Sequence, residues 1–266
     1  MMKPEPTPRG TSPPSPRPRG VPGLFGPWPG RGGKKRRKLK VIDATCPLVT
    51  KVHLEAIKYA KEGYHIILIG HDDHVETIGT LGEAPHAMQV VGTTFEAEAV
   101  QVPDPEKVAY LTQTTLSLDD AAEIVAVLKR RFPKLKCPPK DDICYATQNR
   151  QNAVRSLAPK VDLLLVLGAP NSSNSVRLRE VAEARGRKAF LIERAADIKP
   201  EWLAGVKTLG LTASASAPEV LVQEVIDLCR NQLGVTRVVE DETVEEDVHF
   251  SLPYELEKLL REKAAA

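Results

Sequence analysis

Beyond residue 38 the sequence alternates short apolar segments with segments of helical periodicity, and this alternation is the strongest constraint on the fold. Residues 162–167, DLLLVL, contain an unbroken apolar run of the kind found in strands that are covered on both faces of a parallel sheet. Helices between such strands return the chain to the start of the next parallel strand. The sequence therefore predicts an α/β fold made of small parallel-sheet units.

The predicted elements follow from apolar periodicity and from the turn residues that bound it. Strands are expected at residues 39–43, 64–69, 88–91, 107–111, 162–167, 188–192 and 208–212. Helices are expected at residues 47–62, 115–131, 174–185 and 218–233, the last opened by a capping box at residues 216–219. We place the two units at residues 39–138 and 139–250, with a boundary near residues 133–142 and a C-terminal tail at residues 251–266.

Residues 1–38 differ from the rest of the chain in composition. They contain ten prolines and seven glycines, and they end in the basic run KKRRK at residues 34–38. Such a segment buries too little apolar surface to offset its chain entropy, so we expect a disordered tail. The basic run favours a solvated tail over a nucleic-acid site, because the residues that follow it carry a net negative charge.

Length and composition are those of a globular protein of the cytoplasm. The apolar fraction is 42%, which is close to the average of soluble proteins. The sequence has no run of eighteen apolar residues and no apolar segment near Met1, so we expect neither a membrane span nor a secretory signal. In a cytosolic chain the four cysteines are more often ligands, catalytic groups or core residues than disulfides.

Polar residues gather where the predicted strands end, which is the edge at which open parallel sheets bind ligands. The segment NSSNS at residues 171–175 offers hydroxyls, amides and free backbone N–H groups to an anion. Ordinary N-capping needs only one such residue, so the run favours a ligand site over capping alone. His74 and Glu76, in a Gly-bounded loop, could hold phosphate and transfer a proton, although loop residues of these types are usually only solvated. Ser216 by itself is explained by the capping box.

Two of the four cysteines stand at junctions between a loop and a helix. Cys46 and Cys144 each precede a predicted helix, whose N-terminus stabilises a thiolate, as a cluster ligand requires. Cys137 and Cys229 fit the commoner role of a small buried apolar residue. The chain has no CxxC pair, so zinc ribbons and ferredoxin-type cluster loops are not indicated.

Six of these segments, taken together and in order, resemble the LytB-type 4-hydroxy-3-methylbut-2-enyl diphosphate reductases. The resemblance extends over about residues 39–250 and matches the spacing as well as the residues. The segments are DATCPLVTKVH at residues 43–53, HDDHVE at 71–76, TQTTLS at 112–117, DDICYATQNRQ at 141–151, NSSNSVRLRE at 171–180 and TASASAPE at 212–219.

The resemblance implies a reaction and a site. The reaction would be the reductive loss of the allylic hydroxyl from hydroxymethylbutenyl diphosphate, giving isopentenyl and dimethylallyl diphosphate at the end of the non-mevalonate isoprenoid pathway. Cys46 and Cys144 would be two of three thiolates on a [4Fe–4S] cluster, Glu76 would deliver the proton, and ferredoxin or flavodoxin would supply electrons. Substrate would be bound by His74, Thr114, Thr115, Ser172, Ser173, Asn174 and Ser216.

The sequence departs from this family at its beginning. The family has three α/β units in a trefoil-like arrangement, and the first unit, which carries the third cysteine, has no counterpart in residues 1–38. We expect those residues to reflect a wrong start or a frameshift, because the composition changes abruptly at residue 39. Ser214 also stands where the family pattern has Gly. The alternative is a cluster-free protein that binds diphosphate without catalysis or serves as an interaction module.

Overall fold

The structure is a computed structural model that describes residues 43, 45–241, 244, 246 and 248–264. The predicted tail at residues 1–38 lies outside the described residues, as does the predicted strand at residues 39–43 apart from Asp43. The described residues form an α/β fold with two three-stranded parallel sheets, which confirms the predicted fold class. Two such sheets are consistent with two units of a trefoil-like fold.

The first sheet and its helices occupy the N-terminal part of the described chain. In chain order the elements are α1 (Pro47–Lys61), β1 (His65–Ile69), α2 (Val75–Glu83), β2 (Met88–Val91), α3 (Thr94–Ala99), β3 (Val108–Thr112) and α4 (Leu118–Arg131). The strands lie in the spatial order β2-β1-β3, so the first strand along the chain is the central one. All pairings are parallel, and therefore the three carboxyl ends share one edge.

The second sheet repeats this arrangement. Its elements are α5 (Tyr145–Leu157), β4 (Leu163–Leu167), α6 (Ser173–Ala184), β5 (Lys188–Ile192), β6 (Leu209–Ala213) and α7 (Glu219–Gln232), followed by α8 (Tyr254–Ala264). The spatial order β5-β4-β6 again places the first strand in the centre, and the pairing is again parallel. The two units thus share one topology.

Apolar side chains cover both faces of each central strand. On β1, Ile67 and Ile69 pack in the cluster that includes α4, whereas Ile66 and Leu68 pack in the cluster that includes α1. Each such side chain, when fully buried, contributes roughly 1.5–3 kcal/mol relative to an exposed one. All five residues of β4 are buried as well, which confirms the prediction from their unbroken apolar run.

The predicted elements within the described residues agree with the structure to within three residues at their ends, but three helices were missed. The segment that contains His74 and Glu76 is not a loop, because α2 begins directly after His74. Its two glycines, Gly79 and Gly82, obscure the helical pattern in the sequence. Helix α3 is only six residues long, too short for a clear period, and the predicted C-terminal tail contains α8.

The predicted capping box at residues 216–219 is wrong. Pro218 is the N-cap of α7, and no side chain caps the helix. Because the helix begins at Glu219, Ser216 lies too early in the chain to accept from its first N–H groups. The Ser216 hydroxyl instead lies 3.5 Å from the Ser214 hydroxyl.

Across the described part of the chain, every helix is too short or too polar to cross a membrane.

Candidate functional site

The polar strand ends of the two sheets occupy equivalent positions. Ile69 pairs with Thr112 at the end of the first sheet, and Leu167 pairs with Ala213 at the end of the second. In each unit a glycine follows the central strand and the N-cap of the next helix stands four residues after that glycine. The N-caps are His74 and Ser172. Glu76 is therefore the positional equivalent of Asn174, and the two can be compared directly.

His74 caps α2 with its ring. Its Nδ1 accepts the backbone N–H of Glu76 at 3.3 Å. Burial lowers the pKa of His74, the neighbouring His71 lowers it further, and Asp73 opposes both effects. A neutral ring that accepts at Nδ1 carries its proton on Nε2, which leaves that N–H available to an anion.

Glu76 is held by Thr114, which follows β3. The backbone N–H of Thr114 donates to Oε1 of Glu76 at 2.6 Å, and the Thr114 hydroxyl lies 3.0 Å from Oε2. Burial raises the pKa of the Glu76 carboxyl, against the lowering effect of the two Thr114 hydrogen bonds, and the charge of Asp142 raises it further. A carboxyl held in this way keeps its proton to higher pH than an exposed one, as a proton donor requires.

Gln113 connects the ends of the two sheets, a role that the sequence did not reveal. Its Oε1 accepts from the backbone N–H of His71 at 3.1 Å and from the Thr77 hydroxyl at 3.2 Å. Its Nε2 donates to the hydroxyls of Thr115 at 2.8 Å and Ser173 at 3.4 Å. Because Gln113 is only 1% exposed, these four bonds fix Thr115 and Ser173 relative to the first sheet.

The predicted anion site lies at the start of α6. Ser172 is the cap and accepts the backbone N–H of Ser175 at 3.4 Å, so capping accounts for this residue alone. Neither amide atom of Asn174 has a hydrogen-bond partner among the described residues, nor has the Ser175 hydroxyl. Asn174 is 7% exposed and Ser175 is fully buried. An unpaired buried polar group costs about 1–3 kcal/mol, and capping of α6 does not account for either side chain.

Gly168 allows the serines of the second unit to approach the end of β4. A Cβ at this position would lie 2.2 Å from the Ser175 hydroxyl and 2.9 Å from the Ser214 hydroxyl. At the equivalent Gly70 a Cβ would lie 2.7 Å from the Thr77 hydroxyl. Both glycines are thus required by close packing at the strand end.

The cysteines predicted to bind metal each cap a helix. Cys144 caps α5, where its Sγ accepts the backbone N–H of Thr147 at 3.3 Å, and its own N–H donates to the carbonyl of Thr114 at 2.9 Å. Cys46 caps α1 without a side-chain bond and is exposed. Burial raises the pKa of Tyr145, the residue after Cys144, and the charge of Glu246 raises it further.

The other two cysteines lie elsewhere. Cys229 is buried in the core of the second unit, as predicted. The prediction of a buried Cys137 is wrong, because this residue is exposed in the connection between the two units, 3.9 Å from the carbonyl of Leu135.

A sequence model of the LytB protein family matches residues 31–230. This match covers most of the chain. The chain belongs to the LytB family. Among curated relatives, it is 54% identical to 4-hydroxy-3-methylbut-2-enyl diphosphate reductase 2 of Burkholderia mallei, over 82% of this chain and 66% of the relative. It is also 54% identical to the reductase of Bordetella pertussis, over 84% of this chain and 68% of the relative.

A solved structure supports the same family fold. The E-1-hydroxy-2-methyl-but-2-enyl-4-diphosphate reductase from Plasmodium falciparum aligns with a TM-score of 0.80 and 39% identity, over 84% of this chain and 70% of that chain. The chain therefore spans about two thirds of the length of the LytB relatives that it matches.

The donor set of this LytB chain is incomplete for a cluster. Cys46 and Cys144 stand at helix N-termini, where thiolates are stabilised, and so they suit two ligand positions. Within the described ranges no group of three His, Cys, Asp or Glu side chains is placed to hold a metal ion. A [4Fe–4S] cluster with one open iron needs three protein ligands. Among the described residues, Cys46 and Cys144 are thus candidates for two of them, and no candidate for the third is placed with them.

Proposed function

We propose that this chain acts in the reductive dehydroxylation of (E)-4-hydroxy-3-methylbut-2-enyl diphosphate, the reaction named for its LytB relatives. The observation that carries the proposal is the pair of equivalent positions at the two sheet ends. One holds a partly buried carboxyl with a raised pKa, Glu76, and the other holds the unpaired buried amide of Asn174. Together they offer a proton and an anion site, the two functions that an allylic diphosphate substrate requires.

Diphosphate binding is assigned to the start of α6 and to the side chains that face it. Asn174 and Ser175 have unpaired polar atoms, and the backbone N–H groups at the α6 N-terminus favour negative charge. The Nε2–H of His74 is a further donor, and we assign Ser172, Ser173 and Ser216 to the same anion. Ser173 is held by Gln113, so its hydroxyl is already oriented before substrate arrives.

Proton delivery is assigned to Glu76. Its protonated carboxyl would donate to the allylic oxygen as that oxygen leaves, and the anion would remain hydrogen-bonded to Thr114. We assign Thr114 and Thr115 to the side of the site nearest the reacting carbon atoms. Cys46 and Cys144 would be two of the ligands to a [4Fe–4S] cluster, and the third ligand is missing from the described residues.

A second candidate function follows from the absence of a third cluster ligand among the described residues. With two thiolates and an intact anion site, the chain suits a protein that binds diphosphate without catalysing its reduction. The two candidates differ in turnover and not in diphosphate binding.

The test is an anaerobic reductase assay on the full chain after reconstitution with iron and sulfide, using a chemical reductant in place of ferredoxin or flavodoxin. Formation of isopentenyl and dimethylallyl diphosphate, with a loss of about 10²–10⁴-fold in Glu76→Gln, is the expected result. The matched control is Glu96→Gln. Glu96 also lies in the first turn of a helix and accepts a backbone N–H, but it is exposed.

Binding of inorganic diphosphate, measured alongside turnover, separates the two candidates. Binding measured by titration calorimetry, together with no turnover by the reconstituted chain, would support the non-catalytic function. Failure of the chain to bind diphosphate would contradict both.

A further inference from the structure

The connection from the first unit to the second runs along the outer edge of β3. Lys136 exchanges backbone hydrogen bonds with Val108 and Tyr110, at 2.9 and 3.1 Å. Farther along, the backbone N–H of Thr112 donates to Oδ2 of Asp142 at 2.9 Å, and the N–H of Cys144 donates to the carbonyl of Thr114. The Asp142 carboxylate thus takes the place of a backbone acceptor in line with the strand.

Asp142 is a buried charge whose counter-ion comes from α1. Its side chain is 0% exposed, and the ammonium of Lys51 lies 2.8 Å from its Oδ1. The same ammonium donates to the carbonyl of Lys140 at 2.8 Å, and Glu55 lies 3.7 Å away on the next turn of α1. A buried carboxylate with this counter-ion is fixed in position, because loss of Lys51 leaves its charge uncompensated in a low-dielectric site.

The ion pair lies between the two cysteines along the chain. Lys51 stands five residues after Cys46, on the helix that Cys46 caps, and Asp142 stands two residues before Cys144. Through Thr112 the same carboxylate also fixes the strand end that continues into Thr114, the partner of Glu76.

The geometry points to the Lys51–Asp142 ion pair as the positioning element that sets the separation of Cys46 and Cys144. Lys51 and Asp142 act through the segments that carry the cysteines, so they are positioning residues and not catalytic ones. That this separation of the two cysteines serves cluster binding rests on the proposed function. The separation itself is a property of the fold and can be measured without turnover.

Paired thiol cross-linkers of different length test the spacing. The experiment uses the full chain with Cys137→Ser, in which Cys46 and Cys144 are the two cysteines outside the core. The protein is treated with a short or a long bis-maleimide. Peptide mass spectrometry then measures the fraction of chains in which the reagent bridges the two cysteines. The parent is expected to be bridged by both reagents. Lys51→Met and Asp142→Asn are each expected to lower the ratio of short to long bridging by roughly tenfold, because a freed loop samples wider separations.

A double variant separates positioning from unfolding. Lys51→Met with Asp142→Leu removes both charges of the pair, and circular dichroism shows whether the fold persists; the folded double variant is expected to lose the short bridge. Glu62→Gln is the matched control: it removes the half-exposed pair between Glu62 and Lys136, which also joins α1 to the connection but lies at the far end of the helix. This control should bridge like the parent.

Two results would overturn the assignment. One is a parent that the short reagent does not bridge, and the other is a folded double variant whose ratio equals that of the parent. Neither depends on diphosphate binding or on reductase activity, so the proposed function can fail while this assignment stands, and the reverse.

Discussion

The two sheet ends share a topology and differ in how their polar groups are satisfied. In the first unit Glu76 is bonded twice by Thr114, and Gln113 makes four hydrogen bonds. In the second unit Asn174 has no partner among the described residues, and the residue equivalent to Thr114 is Ala215, which has no hydroxyl to offer. One framework thus holds a carboxyl by two hydrogen bonds, and the other leaves a buried amide without a partner.

The largest expected effect is the loss of diphosphate affinity when a negative charge replaces the unpaired amide of Asn174. Asn174→Asp keeps the shape of the side chain and places a carboxylate against the anion, so the affinity for inorganic diphosphate should fall by about hundredfold or more. Calorimetry measures the affinity, and Asn231→Asp on the exposed surface of α7 is the control. Equal losses in the two variants would mean that the effect comes from net charge and not from the site.

One added methyl group should disrupt the close packing of Gly168, at the end of β4, against Ser175 and Ser214. Gly168→Ala forces the Ser175 and Ser214 hydroxyls apart and should lower the free energy of unfolding by about 1–3 kcal/mol in urea denaturation. Gly82→Ala is the control, since a Cβ there meets nothing within 4 Å and should stabilise α2 by roughly 0.5–1 kcal/mol. A Gly168→Ala protein as stable as the parent would remove the packing argument.

The helix caps are expected to contribute less. Ser172→Ala removes the acceptor for the Ser175 N–H and should lower the free energy of unfolding by about 1 kcal/mol, measured without diphosphate present. His74→Asn replaces the equivalent cap by another good capping residue and should change stability little. If the two substitutions had equal effects, the caps would not account for the result.

The Glu76 carboxyl, at the end of the first sheet, should make the stability of the protein fall as pH rises. Burial raises the pKa of Glu76 above the value of 4.5 for an exposed glutamate, so the native state binds more protons between the two pKa values. The contribution of Glu76 is therefore full below pH 4.5 and is lost as pH rises through the native pKa. Glu76→Gln is neutral at every pH and should remove this loss. Urea denaturation across the range gives the two curves, and parallel curves would contradict the raised pKa.

Much of the fold could be predicted from the periodicity of apolar residues, because the strands are buried and therefore apolar. The strands that are apolar on both faces, such as β1 and β4, were recognised to within a residue or two. The helix that carries Glu76 was not, because Gly79 and Gly82 interrupt its pattern. Helix α8 follows a segment of weak periodicity and was taken for a tail.

The site residues were named by resemblance, and their contacts needed the structure. That Cys46 and Cys144 cap helices was predictable from their place before helical segments. Three of the four hydrogen bonds of Gln113, and the ion pair of Lys51 with Asp142, join residues far apart in the chain, and local pattern carries no information about such pairs. Ser216 was assigned to a cap because its spacing fitted one, although the helix begins later.

The outer edge of β3 has a consequence for synthesis of the chain on the ribosome. Its partners are Lys136, Asp142 and Cys144, all of which are made after the strand itself. Until that stretch has emerged, the nascent first sheet presents an uncovered strand edge, the kind of surface that recruits other chains into aggregates. The short distance in sequence from β3 to its cover limits that interval to the few seconds in which about thirty residues are added.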